Sequence, residues 1–203
     1  MSHIALIGAS GAAGSRILKE LTDRGHSVTA IARHPERIAK IAGVTAVKGD
    51  ALDMQGLAAT LRGHDAVVSA ANFTSTEPKT LIDAVRASGV RRYLVVGGAG
   101  SLEVAPGQRV IDLPDFPEAY KEEASRGADF LALLQKETEL DWTFLSPSAE
   151  FVPGERTGQF RLGKDALLSN GNGSRISFED YAVALVDELE QPAHSRQRFT
   201  VGY

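Results

Sequence analysis

Between the apolar run His3-Ile4-Ala5-Leu6-Ile7 and a helical pattern over residues 12–24 stands the stretch Gly8-Ala9-Ser10-Gly11-Ala12-Ala13-Gly14. Its three glycines recur at every third residue. At a strand-to-helix junction that spacing leaves few folds open. Gly8 permits the tight turn out of the strand, and Gly11 lets the backbone approach a ligand closely. Gly14 lets the helix pack near the sheet. The first N–H groups of the helix have no intrahelical acceptor and face an anion. The stretch predicts a parallel α/β sheet that holds the pyrophosphate of a dinucleotide on residues 8–14.

The rest of the chain agrees with this. Short apolar runs at 27–32, 44–48, 66–71, 92–98 and 142–146 alternate with helical patterns at about 54–62, 77–88 and 117–140. Alternation of this kind means parallel strands joined by right-handed crossovers. The expectation is a single doubly wound Rossmann-type domain over residues 1–203, with sheet order 3-2-1-4-5-6. Residues 1–146 form its core. After Pro147 the pattern becomes irregular, and residues 147–203 read as a segment covering the substrate, with a closing helix and strand. Within it, Asn170-Gly171-Asn172-Gly173 signals a turn. Ser177-Phe178-Glu179-Asp180 fits a capping box that opens a helix to about Glu190.

Composition narrows the function classes. The net charge of -4 argues against general nucleic-acid binding. There is no cysteine, which excludes disulfides, thiolate catalysis and cysteine-ligated zinc. The five histidines are scattered without metal-type spacing. No leader pattern and no apolar run of bilayer length is visible, so a cytoplasmic protein without membrane attachment is expected. A monomer and a homodimer are both compatible with the sequence.

The second strand ends at Ala32 and is followed by Arg33. NAD-preferring sites place an acidic residue there to hold the ribose hydroxyls. A guanidinium pairs instead with a 2′-phosphate, so NADP is expected rather than NAD. Asp50 and Ala51, after the third strand, are expected beside the adenine. Ser69, Ala70 and Ala71 leave room for ribose and pyrophosphate. Gly97 and Gly98 after the fifth strand, with Pro147 after the sixth, complete the expected cofactor set.

The stretches GASGAAG, AIAR, KGDALD, DAVVSAA and VRRYLVVGGAGS, in that order, resemble the atypical short-chain dehydrogenase/reductase group of NAD(P)H-binding proteins. The resemblance is to its NmrA-like and flavin reductase/biliverdin reductase B branch, and it extends through DWTFLSPS to the closing RFTVGY. It implies a Rossmann fold with NAD(P) across the glycine turn. The group holds reductases, redox-sensing regulators and members of unknown role.

Tyr120 poses the chemical question. Standard short-chain reductases pair a tyrosine proton donor with a lysine one helical turn later, which lowers the tyrosine's pKa. Here that place holds Ala124, and Lys121 lies roughly 100° away around the helix. The usual serine is also displaced, since the fifth strand runs into Gly97-Gly98-Ala99-Gly100 before Ser101. Tyr120 and Ser101 are the catalytic candidates. Glu150, Glu155, Arg156 and Arg161 could line the entrance.

The leading expectation is an NAD(P)H-dependent oxidoreductase that passes hydride directly to a small-molecule acceptor. The acceptor would be a flavin, a quinone or a small carbonyl. The alternatives are a non-enzymatic NADP(H)-sensing regulator and a nucleotide-sugar epimerase or dehydratase.

Overall fold

Ile4, Leu6, Val28 and Ala30 are buried toward one side of their strands, while Ala5, Ile7 and Ile31 are buried toward the other. A strand apolar on both faces must lie between two layers of helices. The computed structural model, which describes residues 1–203, has this arrangement. In chain order the elements open with β1 (His3–Ile7), α1 (Ala12–Asp23), β2 (Ser27–Ala32), β3 (Val44–Lys48), α2 (Met54–Leu61) and β4 (Ala66–Ser69). There follow α3 (Pro78–Ser88), β5 (Arg92–Val96), the small hairpin β6 (Glu103–Ala105) and β7 (Gln108–Arg109), and α4 (Glu118–Leu134). The chain ends with β8 (Asp141–Pro147), β9 (Glu150–Val152), β10 (Arg161–Gly163), β11 (Arg175–Ser177), α5 (Phe178–Glu190) and β12 (Gln197–Gly202).

The main sheet runs β10-β12-β8-β5-β4-β1-β2-β3. Its first six strands in the chain's alternation take the expected order 3-2-1-4-5-6. β12 adds a further parallel strand beside β8, and β10 closes the edge antiparallel. Helices α1 and α5 cover one face, with Ile17, Leu21, Tyr181 and Leu185 packed on the strands. Helices α2, α3 and α4 cover the other, through Leu57, Leu81, Val85, Phe130 and Leu134. Burying each such side chain contributes about 1.5–3 kcal/mol. No helix is long and apolar enough to cross a membrane.

Two local expectations need correction. The helix expected over 117–140 ends at Leu134. The Glu137 carboxylate accepts the N–H groups of Glu139 at 2.6 Å and Leu140 at 3.2 Å, and so offers the backbone a turn in place of another helical turn. The capping box is only half formed. Ser177 Oγ accepts the Asp180 N–H at 2.9 Å, but the Asp180 side chain turns to residues 157 and 158 instead of back to Ser177.

Buried charge lies at the amino end of the sheet. Glu188 accepts from Arg92 at 2.9 Å, from the His194 amide at 2.9 Å and from His194 Nδ1 at 2.8 Å. Burial alone would raise the Glu188 pKa, yet the His194 contacts and neighbouring amides hold it below the usual range. The carboxyl ends of the strands, with the glycine turn, are left for a ligand.

Candidate dinucleotide site

The turn after β1 is built as its glycines require. Gly8 has φ +82, a left-handed conformation that favours glycine. A Cβ there would stand 2.8 Å from the Ala70 backbone, and one on Gly14 would stand 2.1 Å from the Gly8 carbonyl oxygen. The Gly8 and Ala9 amides are held by the Ile31 carbonyl, and the Gly11 amide by the Gly8 carbonyl. The amides of Ala12, Ala13 and Gly14 find no backbone acceptor, and Gly11 caps α1 without a side-chain bond. They are donors of the kind that bind phosphate.

A cleft opens beside this turn. It is lined by Gly8, Ser10 and Gly11 from the turn, Arg33 after β2, Gly49, Asp50 and Ala51 after β3, and Ala70 and Ala71 after β4. Of the other expected cofactor residues, Ala9 and Gly14 are buried, and Ala12 and Ala13 begin α1 beside the turn. Ser69 is buried at the end of β4, and Pro147 at the end of β8. Gly97 owes its identity to packing, because a Cβ there would stand 2.4 Å from the Phe144 ring. Gly98 is partly open, with Phe73 at ordinary contact distance from where its Cβ would be.

The electrostatics at the rim are simple. His34 pairs with Glu36 at 3.2 Å, and exposed Arg33 has no carboxylate partner. An unpaired guanidinium at the mouth of a cleft is free for a ligand anion. Asp50 is occupied locally, its carboxylate accepting the Leu52 amide at 3.0 Å.

Asn72, Ser75 and Thr76 also line the cleft, beyond the residues expected from the sequence. They belong to the turn around Phe73–Ser75, which Glu123 of α4 fastens by accepting the Phe73 amide at 2.7 Å and the Thr74 amide at 2.8 Å. The available signal was the short connection between the end of β4 at Ser69 and Pro78 at the start of α3, since a segment leaving a strand begins at its carboxyl end.

The catalytic candidates separate. Tyr120 lies in the first turn of α4 and is 66% exposed. Lys121 points elsewhere, toward Glu118 at 3.4 Å. Ala124, where a paired lysine would be, packs on Gly100 so closely that a Gly100 Cβ would stand 2.7 Å from the Ala124 Cβ. Ser101 is half-buried after β5, and its oxygen accepts from Arg198 at 3.3 Å.

Two of the four expected entrance residues have other partners. Arg156 grips Glu20 of α1 with two bonds of 2.7 Å. Arg156, with Arg24, holds the Glu20 carboxyl below the usual range despite its burial. Arg161 bonds the Ser169 carbonyl at 2.8 Å and the Tyr203 carbonyl. Glu150 and Glu155 are exposed, and none of the four lines the cleft.

Comparison with known proteins agrees with this geometry. A model of NAD(P)H-binding proteins matches residues 8–192. The chain is 43% identical to YwnB of Bacillus subtilis, over 98% of this chain and 97% of that one. A candidate epimerase from Bacteroides thetaiotaomicron is 45% identical, with a TM-score of 0.94 over 100% of this chain and 97% of its own. A candidate NADH-flavin reductase from Streptococcus pneumoniae is 38% identical, with a TM-score of 0.82 over 100% and 99%. Taken with the glycine turn and its unpaired amides, these matches place the chain in the NAD(P)H-binding family.

Proposed function

We propose that the protein is an NADPH-dependent reductase that delivers hydride to a flavin, a quinone or a small carbonyl compound. The observation that carries the cofactor choice is the unpaired Arg33 at the rim of a cleft whose floor is the glycine turn. The amides of residues 12–14 would hold the pyrophosphate, Arg33 the 2′-phosphate, and the small residues Ala70 and Ala71 the ribose. When bound, the reduced nicotinamide supplies the hydride. The likeness to the candidate NADH-flavin reductase supports reduction as the reaction. That relative is named for NADH, whereas Arg33 favours NADPH here.

The absence of a tyrosine–lysine pair suits an acceptor that can take its proton from water. The chain's part is then to bind, orient and shield, with Ser101 the first side-chain hydroxyl after β5 in the sequence. The epimerase reading suggested by the Bacteroides relative fares worse, because Ala124 against Gly100 leaves no place for the lysine that such chemistry uses. A sensor reading is favoured by exposed Tyr120, which no protein group orients.

Steady-state oxidation of NADPH and NADH against a panel of flavins, quinones and ketones tests the proposal. The expected result is turnover with at least one acceptor and a kcat/KM preference for NADPH of about tenfold or more, the scale of one charge-assisted contact. Tight NADPH binding with no turnover across the panel would favour the sensor.

A further inference from the structure

Ser101 has one protein partner for its hydroxyl, Nη1 of Arg198 at 3.3 Å. A guanidinium carries donors and no acceptor, so the serine oxygen is the accepting group. The hydroxyl hydrogen is left with no acceptor in the protein. Arg198 is itself held firmly. Its Nε and Nη2 donate to Oδ1 of Asp165 at 2.8 and 2.6 Å, and its side chain is only 8% exposed.

The placement of this pair bears on function. Arg198 stands on β12 opposite Phe144 of β8, on the sheet face covered by α4. Ser101 follows the carboxyl end of β5, two strands from the glycine turn in the order β1-β4-β5. The backbone around it is pinned, with the Leu102 amide on the Ala99 carbonyl at 2.9 Å and the Glu103 amide on the Asp165 carbonyl at 2.8 Å. A half-buried hydroxyl, oriented from behind by a cation and with its hydrogen unused, is a ready donor to a ligand oxygen.

We propose that Arg198 is a positioning residue that makes Ser101 a dedicated hydrogen-bond donor to the carbonyl oxygen of a quinone or ketone acceptor. The inference rests on the reductase reading and narrows its acceptor class. In the step, a bound reduced nicotinamide would give up its hydride, and the electron pair of the C–H bond broken would form a new C–H bond at the carbonyl carbon of a ketone, or an O–H bond at one oxygen of a quinone. The displaced π electrons come to rest on the ketone oxygen or on the quinone's opposite oxygen, which Ser101 stabilises and water then protonates. The nicotinamide is oxidised and the acceptor reduced. A flavin takes hydride at a ring nitrogen, so a donor aimed at a carbonyl oxygen helps it less.

The test pairs kinetics with binding. Ser101→Ala, Arg198→Gln, Arg198→Lys and the double variant Ser101→Ala/Arg198→Gln are assayed with NADPH and menadione. Calorimetry measures menadione binding to the protein loaded with NADP⁺, where no turnover occurs, and NADP⁺ binding itself. Ser101→Ala and Arg198→Gln should each lower kcat by about 10–100-fold and weaken menadione binding several-fold, with NADP⁺ affinity unchanged. The double variant should be no worse than either single one, and Arg198→Lys should recover part of the loss. Multiplying losses, or an Arg198→Gln protein equal to the parent, would overturn the inference. Thermal melts identify any variant that fails to fold, and Ser101→Ala with Arg198→Lys then decides. If the parent binds menadione through these residues but never oxidises NADPH, the reductase reading fails and the site stands. If turnover is unaffected by the variants, the reading stands and the inference fails. If the parent neither binds nor reduces menadione, the inference is overturned.

Discussion

Arg33 shows how one side chain can set cofactor choice. It is exposed, unpaired and on the rim of the cleft, so its removal disturbs no internal contact. Arg33→Ala should weaken NADPH binding by about 1–3 kcal/mol, the worth of a charge-assisted contact, and change NADH binding little. Titrations monitored by nicotinamide fluorescence would check this, and equal losses for both cofactors would assign Arg33 another role. Tyr120 makes the opposite case. With 66% of its surface exposed and Ala124 in place of a lysine one helical turn on, it lacks the paired cation of the ordinary short-chain reductase. Tyr120→Phe should cost an active reductase no more than about tenfold in kcat, below the 10²–10⁴ of a lost general acid. A thousandfold loss would bring the ordinary short-chain mechanism back. Installing the missing lysine should not help, because residue 124 packs on Gly100. Ala124→Lys should lower stability by about 1–3 kcal/mol through overpacking and bring no gain in turnover, as melts and assays can show.

At the scale of elements, the segment after β8 is fixed by charges that the sequence did not reveal. Asp180 is fully buried and accepts from the Thr157 amide at 2.8 Å, the Gly158 amide at 2.7 Å, the Thr157 hydroxyl at 2.5 Å and the Tyr203 hydroxyl at 2.8 Å. Burial raises the pKa of its neighbour Glu179, but Arg16 and the Gly154 amide outweigh this and hold it low. Residues 154–158 are thereby tied to α1 and α5. Asp180→Ala leaves these donors without their acceptor and should cost about 2–4 kcal/mol, with faster amide exchange over residues 154–159. Asp180→Asn, which keeps one oxygen, should lose less. Aspartate three residues after Ser177 reads as a helix-capping signal, and nothing local tells that its carboxylate serves residues more than twenty positions away. The same limit explains α4, where Glu137 stops the helix by bonding the backbone just beyond it. What was legible is what local periodicity and backbone sterics dictate: the alternating strands, the glycine turn and the Asn170–Gly173 turn, whose amides and carbonyls bond across it at 2.9 and 3.1 Å. That Gly8, Ser10 and Gly11 of the glycine turn line the cleft was legible for the same reason. Asn72, Ser75 and Thr76 were not, because their place on the cleft depends on Glu123 from a distant helix.

Across the whole molecule, acid should undo the fold in two stages, and the first begins at the amino end of the sheet. His64 donates from Nδ1 to the Leu61 carbonyl at 2.9 Å, since a carbonyl can only accept. A neutral His64 then carries no hydrogen on Nε2, which accepts from the Thr29 hydroxyl at 2.8 Å. Thr29 in turn accepts from His3 Nε2 at 3.2 Å, and the two imidazole rings lie 4.0 Å apart. The chain of bonds is complete with His64 neutral. Protonating His64 puts a second donor against Thr29 and a positive charge beside His3, with Asp65 nearby as a partial counterweight. Burial, and then His3, lower the His64 pKa below its ordinary value. The unfolded state therefore binds this proton first, and stability falls as pH drops from about 6.5 toward the lower folded value. The second stage involves Glu20, Glu137, Glu179, Glu188 and Glu190, whose folded pKa values all lie below the ordinary one. Their contribution is full above about pH 4.5 and is lost as pH falls through those depressed values. Urea midpoints measured from pH 8 to pH 3 should show a shallow decline below about 6.5 and a steeper one below about 4.5. In His64→Gln, which can still bond Thr29 but does not titrate, the shallow decline should vanish and the steep one remain. A parent midpoint that stays flat between pH 7 and 5 would show that the Thr29 network accommodates the proton.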